Sequence, residues 1–240
     1  INKILEIFPK FFLLENVSGI QGKRAQELLN NALARAEVAG YFIHQKTLDA
    51  QDYGVPQRRK RVIIIGEKLE GGTPKFRYPR VRASSNTVRS AIGFLPEPPL
   101  NGTDHPEFFN HRRDKLSELN LKRIQYVKQG QGMEFLPKEL RADCHKDGAD
   151  KIGHRNVYGR MKWDDVAPTI TARFDSFTRG LFGHPEQDRT ISLREGAILQ
   201  TFPLNFQFYG NKVDIARQIG NAVPPLMAEA IGKNIIKSIK

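Results

Sequence analysis

Val62-Ile63-Ile64-Ile65 is a run of four β-branched residues standing directly behind Gln57-Arg58-Arg59-Lys60-Arg61. No polar alternation interrupts it, so a strand built from it needs cover on both faces and a central place in a sheet. The cations at its head are then fixed on a rigid element instead of a loose tail. From Arg58 to Arg89 there are ten Lys or Arg against the two acids Glu67 and Glu70, so a net +8 of the chain's +12 falls in this span. Such a concentration fits phosphate binding, in which each neutralised phosphate releases condensed counterions; a solvated basic face is the plainer alternative.

The rest of the chain supplies partners for that strand. Residues 1 to 10 read as the end of a helix stopped by Pro9, feeding the apolar run Phe11-Phe12-Leu13-Leu14, with Glu15 where that strand ends. Ala25, Leu28, Leu29, Ala32, Leu33 and Ala36 follow helical spacing up to Gly40, which supplies a stop. Tyr41 to Leu48 reads as a strand, and only about a dozen residues, too few for a comfortable parallel crossover, separate it from Val62, so an antiparallel pair is expected. Between about 73 and 188 the texture changes to Pro, Gly, Arg and short β-prone runs such as Thr169-Ile170-Thr171-Ala172-Arg173-Phe174, which predicts a small, irregular, β-rich second domain. Ser192 and Glu195 have capping-box spacing for a helix that Pro203 would end. A last helix is expected from Pro225 to about Ile239, with Met227, Ala230, Ile231 and Ile235 on one face. The fold class expected is α/β, with part of a mixed sheet plus that second domain, divided as residues 1–76, 77–206 and 207–240.

Several function classes drop out. Cys144 is the one cysteine, which excludes an internal disulfide framework and any multi-cysteine zinc site. Cys144, His145 and His154 match no common zinc spacing, so no metal is expected, and Asp49 with Asp52 lacks the strand-and-lysine setting of a metal-dependent nuclease. No apolar run approaches the roughly 18 residues of a spanning helix and no leader is evident, so no membrane partner and a cytoplasmic location are expected. The first residue, Ile1, stands inside an apolar-periodic stretch, so more polypeptide is expected upstream.

Four blocks then carry a family resemblance: Phe12-Leu13-Leu14-Glu15-Asn16-Val17; Tyr53-Gly54-Val55-Pro56-Gln57-Arg58-Arg59-Lys60-Arg61; Arg194-Glu195 through Leu199-Gln200-Thr201-Phe202-Pro203; and Gln218-Ile219-Gly220-Asn221-Ala222-Val223-Pro224-Pro225. In this order and spacing the chain resembles the C-terminal portion of the DNA (cytosine-5-)-methyltransferases, whose fold is a Rossmann-like S-adenosylmethionine-dependent sheet with a target-recognition region between the second and third blocks. No single block is decisive; four in order are highly specific.

The resemblance implies a reaction in which cytosine is flipped from double-stranded DNA, attacked at carbon 6 by a cysteine thiolate and methylated at carbon 5 from S-adenosyl-L-methionine. Glu15 would hold the cytosine ring nitrogen and amino group and favour protonation as negative charge develops. From local context alone, a solvated loop glutamate is the simpler reading of this residue. Arg59 and Arg61 would contact the flipped nucleotide, with Arg61 on its carbonyl oxygen, and Gln57, Arg58, Arg59 and Arg61 would bind DNA. Asn221 would line the cofactor pocket just before a helix N-terminus; without the resemblance it reads as a helix cap. Arg194 and Glu195 read as structural.

The family's glycine-rich cofactor loop and Pro-Cys nucleophile are not among these residues, and Cys144 has no proline before it. The expectation is therefore a fragment or subunit, inactive alone, that needs an N-terminal half or a complementary subunit, in a bacterial restriction-modification system acting at the nucleoid. A catalytically inactive DNA-binding specificity module and an RNA cytosine methyltransferase are the alternatives.

Overall fold

A computed structural model describes residues 1–82, 85–143 and 156–239. In chain order the elements are α1 (Asn2–Ile7), β1 (Phe11–Asn16), α2 (Lys23–Val38), β2 (Tyr41–Asp49), β3 (Lys60–Lys68), α3 (Val88–Ile92), α4 (Glu118–Tyr126), α5 (Leu193–Leu199), α6 (Lys212–Asn221) and α7 (Pro225–Ile239), with short 3-10 turns between them. They fall into two compact units. Of the described residues, the first comprises 1–54, 59–82 and 226–239, and the second 55–58, 85–143 and 156–225.

The first unit is built on a three-stranded sheet of order β1-β3-β2. The β-branched run lies in β3, the central strand, which is antiparallel to both neighbours, as the short β2–β3 spacing requires. Val62 and Ile64 pack with Leu33 of α2, joined by Leu14, Leu29 and Ile43. Phe12 and Tyr41 pack with Ala36 of the same helix. Leu28, expected on that stripe, is 69% exposed. It precedes Leu29 by one residue, about 100° around the helix, so only one of the two can face the sheet. Ile63 and Ile65 are fully buried as well. The segment after β3 is tied back to the strands: Glu67 accepts hydrogen bonds from the Lys75 and Phe76 amides at 2.9 and 3.1 Å, and the Tyr78 hydroxyl lies 2.9 and 2.8 Å from the His44 and Ile63 carbonyls.

The second unit corrects the β-rich expectation. Among its described residues the β pairing consists of isolated bridges such as Gln129 with Arg160 and Gly183 with Thr190. The 169–174 run does not form a strand because its polar groups go elsewhere. The Thr169 hydroxyl donates to the Arg58 carbonyl, the Ile170 amide to the Gln57 side chain, and the Phe174 amide turns back to Thr171. Side chains replace a ladder elsewhere too: buried Arg160 donates through Nε to the Ile124 and Val127 carbonyls and through Nη1 to those of His184 and Gln187. The main core gathers Phe174, Phe182, Leu193, Leu199, Ile215 and Ile219.

The capping box of α5 is formed, with Ser192 accepting from the Glu195 amide and Glu195 accepting from the Ser192 amide. This helix stops at Leu199, before Pro203, and Thr201 adopts a left-handed φ of 68° just beyond it. α6 was not expected. Asn211 caps it by accepting from the Asp214 amide at 2.9 Å. No helix among the described residues is long and apolar enough to cross a membrane.

One close approach in the sheet is decided by a missing side chain. Gly66 sits opposite Phe12, and a Cβ built there would meet the Phe12 ring at 2.0 Å. Gly66→Ala is therefore expected to lower stability in urea denaturation by about 1–3 kcal/mol, as overpacking does. A loss under about 0.5 kcal/mol, the size of an ordinary surface change, would contradict this packing.

Candidate active site

The β1–β3 register sets Glu15 opposite Ile63. Arg61 lies two residues back along β3, so the two charged side chains are diagonal neighbours on one face of the sheet. Arg61 Nε stands 2.7 Å from Glu15 Oε1, with the arginine side chain 11% and the glutamate 21% exposed. An apolar strand thus carries a carboxylate one residue before its end, and the neighbouring strand carries the counter-ion one residue after its start.

Arg59, just ahead of β3, is 1% exposed. Burial and the nearby Arg61 charge pull its pKa down, and Glu15 opposes them, leaving it at about 10, so it remains cationic at neutral pH. Burial likewise lowers Arg61, again against the favourable field and hydrogen bond of Glu15. The cluster is one carboxylate facing two guanidinium groups. It can accept N–H donors on the carboxylate while presenting N–H donors to an oxygen, as an amide-like or amidine-like heterocyclic edge requires.

The remaining sequence-predicted residues belong to the second unit. Gln57 is fully buried. Its Oε1 accepts from the Ile170 amide at 2.8 Å, and its Nε2 donates to the Leu199 carbonyl at 3.3 Å and to Gln200 Oε1 at 3.0 Å. Gln200 in turn donates to the Ile219 carbonyl at 2.7 Å. The second, third and fourth sequence blocks therefore meet on two amide side chains. The structure gives Gln57 this internal task, and Gln200 is a partner that sequence reasoning missed. Arg58 is exposed and pairs with Asp165 at 2.7 Å.

Asn221 is exposed and is the last residue of α6. It was expected just before a helix N-terminus, but three residues separate it from the start of α7 at Pro225. The residue before it, Gly220, lies so close to the 171–172 backbone that a Cβ would meet the Thr171 carbonyl oxygen at 2.2 Å. The end of a helix presents carbonyl oxygens, so the carboxylate-binding amides foreseen beside Asn221 are not supplied there. Cys144, His145 and His154 lie outside the described residues, and among the described ones no cluster of three metal-ligating side chains occurs.

A family model for C-5 cytosine-specific DNA methylases matches residues 1–237. The chain belongs to that family. It is 40% identical over 243 residues to the type II methylase M.HgiDII of Herpetosiphon aurantiacus, covering 99% of the chain and 66% of that protein. It is 35% identical over 229 residues to the type II methyltransferase M1.HphI of Haemophilus parahaemolyticus, covering 95% and 57%. The chain thus spans less than two thirds of the length of these relatives. Among solved structures, one described as a DNA modification methyltransferase encoded within an E. coli prophage is similar in fold, with a TM-score of 0.69 and 24% identity over 98% of this chain and 71% of that one.

In this cytosine-methylase family member, Arg194 and Glu195 are buried within the second unit. Arg194 donates to the Phe109 and Phe206 carbonyls, each at 2.7 Å. Glu195 takes a two-pronged ion pair from Arg189, both contacts at 2.7 Å, with both side chains 1% exposed. Burial alone would raise the Glu195 carboxyl, yet the Arg189 charge and hydrogen bonds outweigh it and hold the pKa down to about 2. Burial takes nearby His184 down to about 4, and its Nδ1 accepts the Glu186 and Gln187 amides.

Both folded-state values lie below the ordinary ones, 4.5 for Glu195 and 6.5 for His184, so in each window the unfolded chain binds more protons. Stability is therefore expected to fall on acidification, first from pH 6.5 towards 4 through His184 and then from 4.5 towards 2 through Glu195. Glu195→Gln, which strands Arg189, should cost about 3–5 kcal/mol. Urea titrations across this pH range check both statements: a flat wild-type profile would contradict the first, and a Glu195→Gln loss under about 1 kcal/mol the second.

Proposed function

We propose that this chain is the target-binding and cytosine-activating portion of a DNA cytosine-5 methyltransferase. The observation that supports this reading is the mostly covered Glu15–Arg61 pair with buried Arg59 beside it. Cytosine offers an edge on which an amino group, a ring nitrogen and a carbonyl oxygen follow one another. Glu15 holds the amino group and ring nitrogen, and Arg61 donates to the carbonyl oxygen. When a thiolate adds to carbon 6, electron density moves onto the ring nitrogen, where a proton shared with Glu15 neutralises it, while the guanidinium groups of Arg61 and Arg59 stabilise the charge that reaches the carbonyl oxygen. Arg59 keeps the local field positive, favouring the developing anion and the flanking phosphate. Exposed Arg58 adds a backbone contact, and Gln57 acts as an internal support.

The methyl donor we propose is S-adenosyl-L-methionine. Of the described residues only Asn221 is a candidate for holding it, and the end of a helix there is a poor seat for the donor's carboxylate. Most of the donor site and the nucleophilic cysteine are assigned to polypeptide outside this sequence, either an N-terminal half or a complementary subunit, within a restriction-modification system.

In the complete enzyme, Glu15→Gln is expected to lower methyl transfer from labelled donor by about 100-fold or more, the usual size of a lost acid–base group, while DNA affinity changes little. Unchanged turnover would remove Glu15 from the chemistry. Absence of any methyl transfer after the N-terminal half is supplied would support an inactive specificity module instead. Transfer to tRNA but not to duplex DNA would redirect the reading to RNA.

A further inference from the structure

Arg59 stands where the chain re-enters the first unit after residues 55–58, which belong to the second. A buried cation at such a junction needs a local anchor if it is to keep its place beside Glu15 and Arg61. Asp49, the last residue of β2, provides one. Its Oδ1 accepts the Arg59 amide at 3.1 Å, and the next residue, Ala50, donates its amide to the Arg59 carbonyl at 2.9 Å. Both backbone polar groups of Arg59 are thus tied to residues 49 and 50. The carboxylate is itself held, with Oδ1 3.4 Å from the Gln51 amide and Oδ2 accepting from Gln51 Nε2 at 3.2 Å.

A cap on the short turn Ala50–Tyr53 would explain the Gln51 contacts alone. The contact to Arg59 is the shorter of the two backbone contacts, and it reaches a residue ten positions away that forms part of the candidate active site. We infer that Asp49 is a positioning residue for the methyl-transfer site, acting through the Arg59 backbone to fix the buried guanidinium against the Glu15–Arg61 pair. This rests on the function proposed above and deepens it. The role needs an acceptor oxygen at this position and does not need its charge, so asparagine should serve where alanine cannot.

The test uses the complete enzyme with Asp49→Ala, Asp49→Asn, Arg59→Ala and the Asp49→Ala/Arg59→Ala double variant, reading kcat, KM for DNA and amide hydrogen exchange at residue 59. Asp49→Ala is expected to lower kcat by about tenfold or more with KM within about twofold, and Asp49→Asn to restore most of the loss. On the Arg59→Ala background, Asp49→Ala should add almost nothing, because the two act through one group. The Arg59 amide should exchange faster in Asp49→Ala than in wild type. Equal losses in the alanine and asparagine variants, additivity with Arg59→Ala, or unchanged exchange at residue 59 would overturn the inference. A wild-type enzyme without methyl transfer would overturn the functional reading and the catalytic consequence drawn from it, whereas faster Arg59 exchange would still support the anchor.

Discussion

An antiparallel register that sets Glu15 opposite Ile63 is the constraint on which the candidate site depends. Side chains alternate along a strand with a period of two, so a slip of one residue would send Arg61 to the opposite face from Glu15. The buried β-branched run of β3 fixes that register because both its faces are covered, with Val62 and Ile64 under α2 and Ile63 and Ile65 buried on the other side. Ordinary core packing therefore determines which charges meet. Gly66 belongs to the same arrangement, since the Phe12 ring can lie over the strand only where a side chain is missing.

The pair is more than a surface ion pair because its surroundings remove water from it. Arg61 and Glu15 are mostly covered, and Arg59 is almost wholly so. Exposed pairs such as Lys3–Glu6 contribute little, whereas shielded groups keep their field and their orientation. A second cation beside the pair leaves the cluster net positive, which suits a site whose proposed task is to stabilise charge developing on a bound base.

Much of the first unit was legible in the sequence because its elements are specified locally. Four apolar residues in a row gave the central strand, and helical spacing gave α2 and α7; in the second unit, Ser192 with Glu195 gave the start of α5. The apolar runs Phe11–Leu14 and Val62–Ile65 placed Glu15 and Arg61 near strand ends, their roles on one base came from the family resemblance, and the structure puts them 2.7 Å apart. What was not legible depends on distant partners. The burial of Gln57 is set by Ile170, Leu199 and Gln200, more than a hundred residues along the chain, and a glutamine heading a cationic block gives no sign of this. The β-prone run at 169–174 failed to become a strand for the same reason, as its amides and hydroxyl are taken by residues 57, 58 and 171. α6 has as its start signal the Asn211–Asp214 cap, and its C-terminal half coincides with the Gln218–Asn221 block, whose residues read as a family motif and not as helix.

The central claim is that Glu15 and Arg61 work as one unit on one substrate edge. A double-mutant cycle in the complete enzyme, with Glu15→Gln, Arg61→Lys and the pair, read as kcat/KM for methyl transfer to duplex DNA, tests it most directly. The two losses should be non-additive by about 0.5–3 kcal/mol, as for groups in contact on a shared ligand. Additivity to within about 0.3 kcal/mol would mean that the two side chains act independently, and would contradict the account.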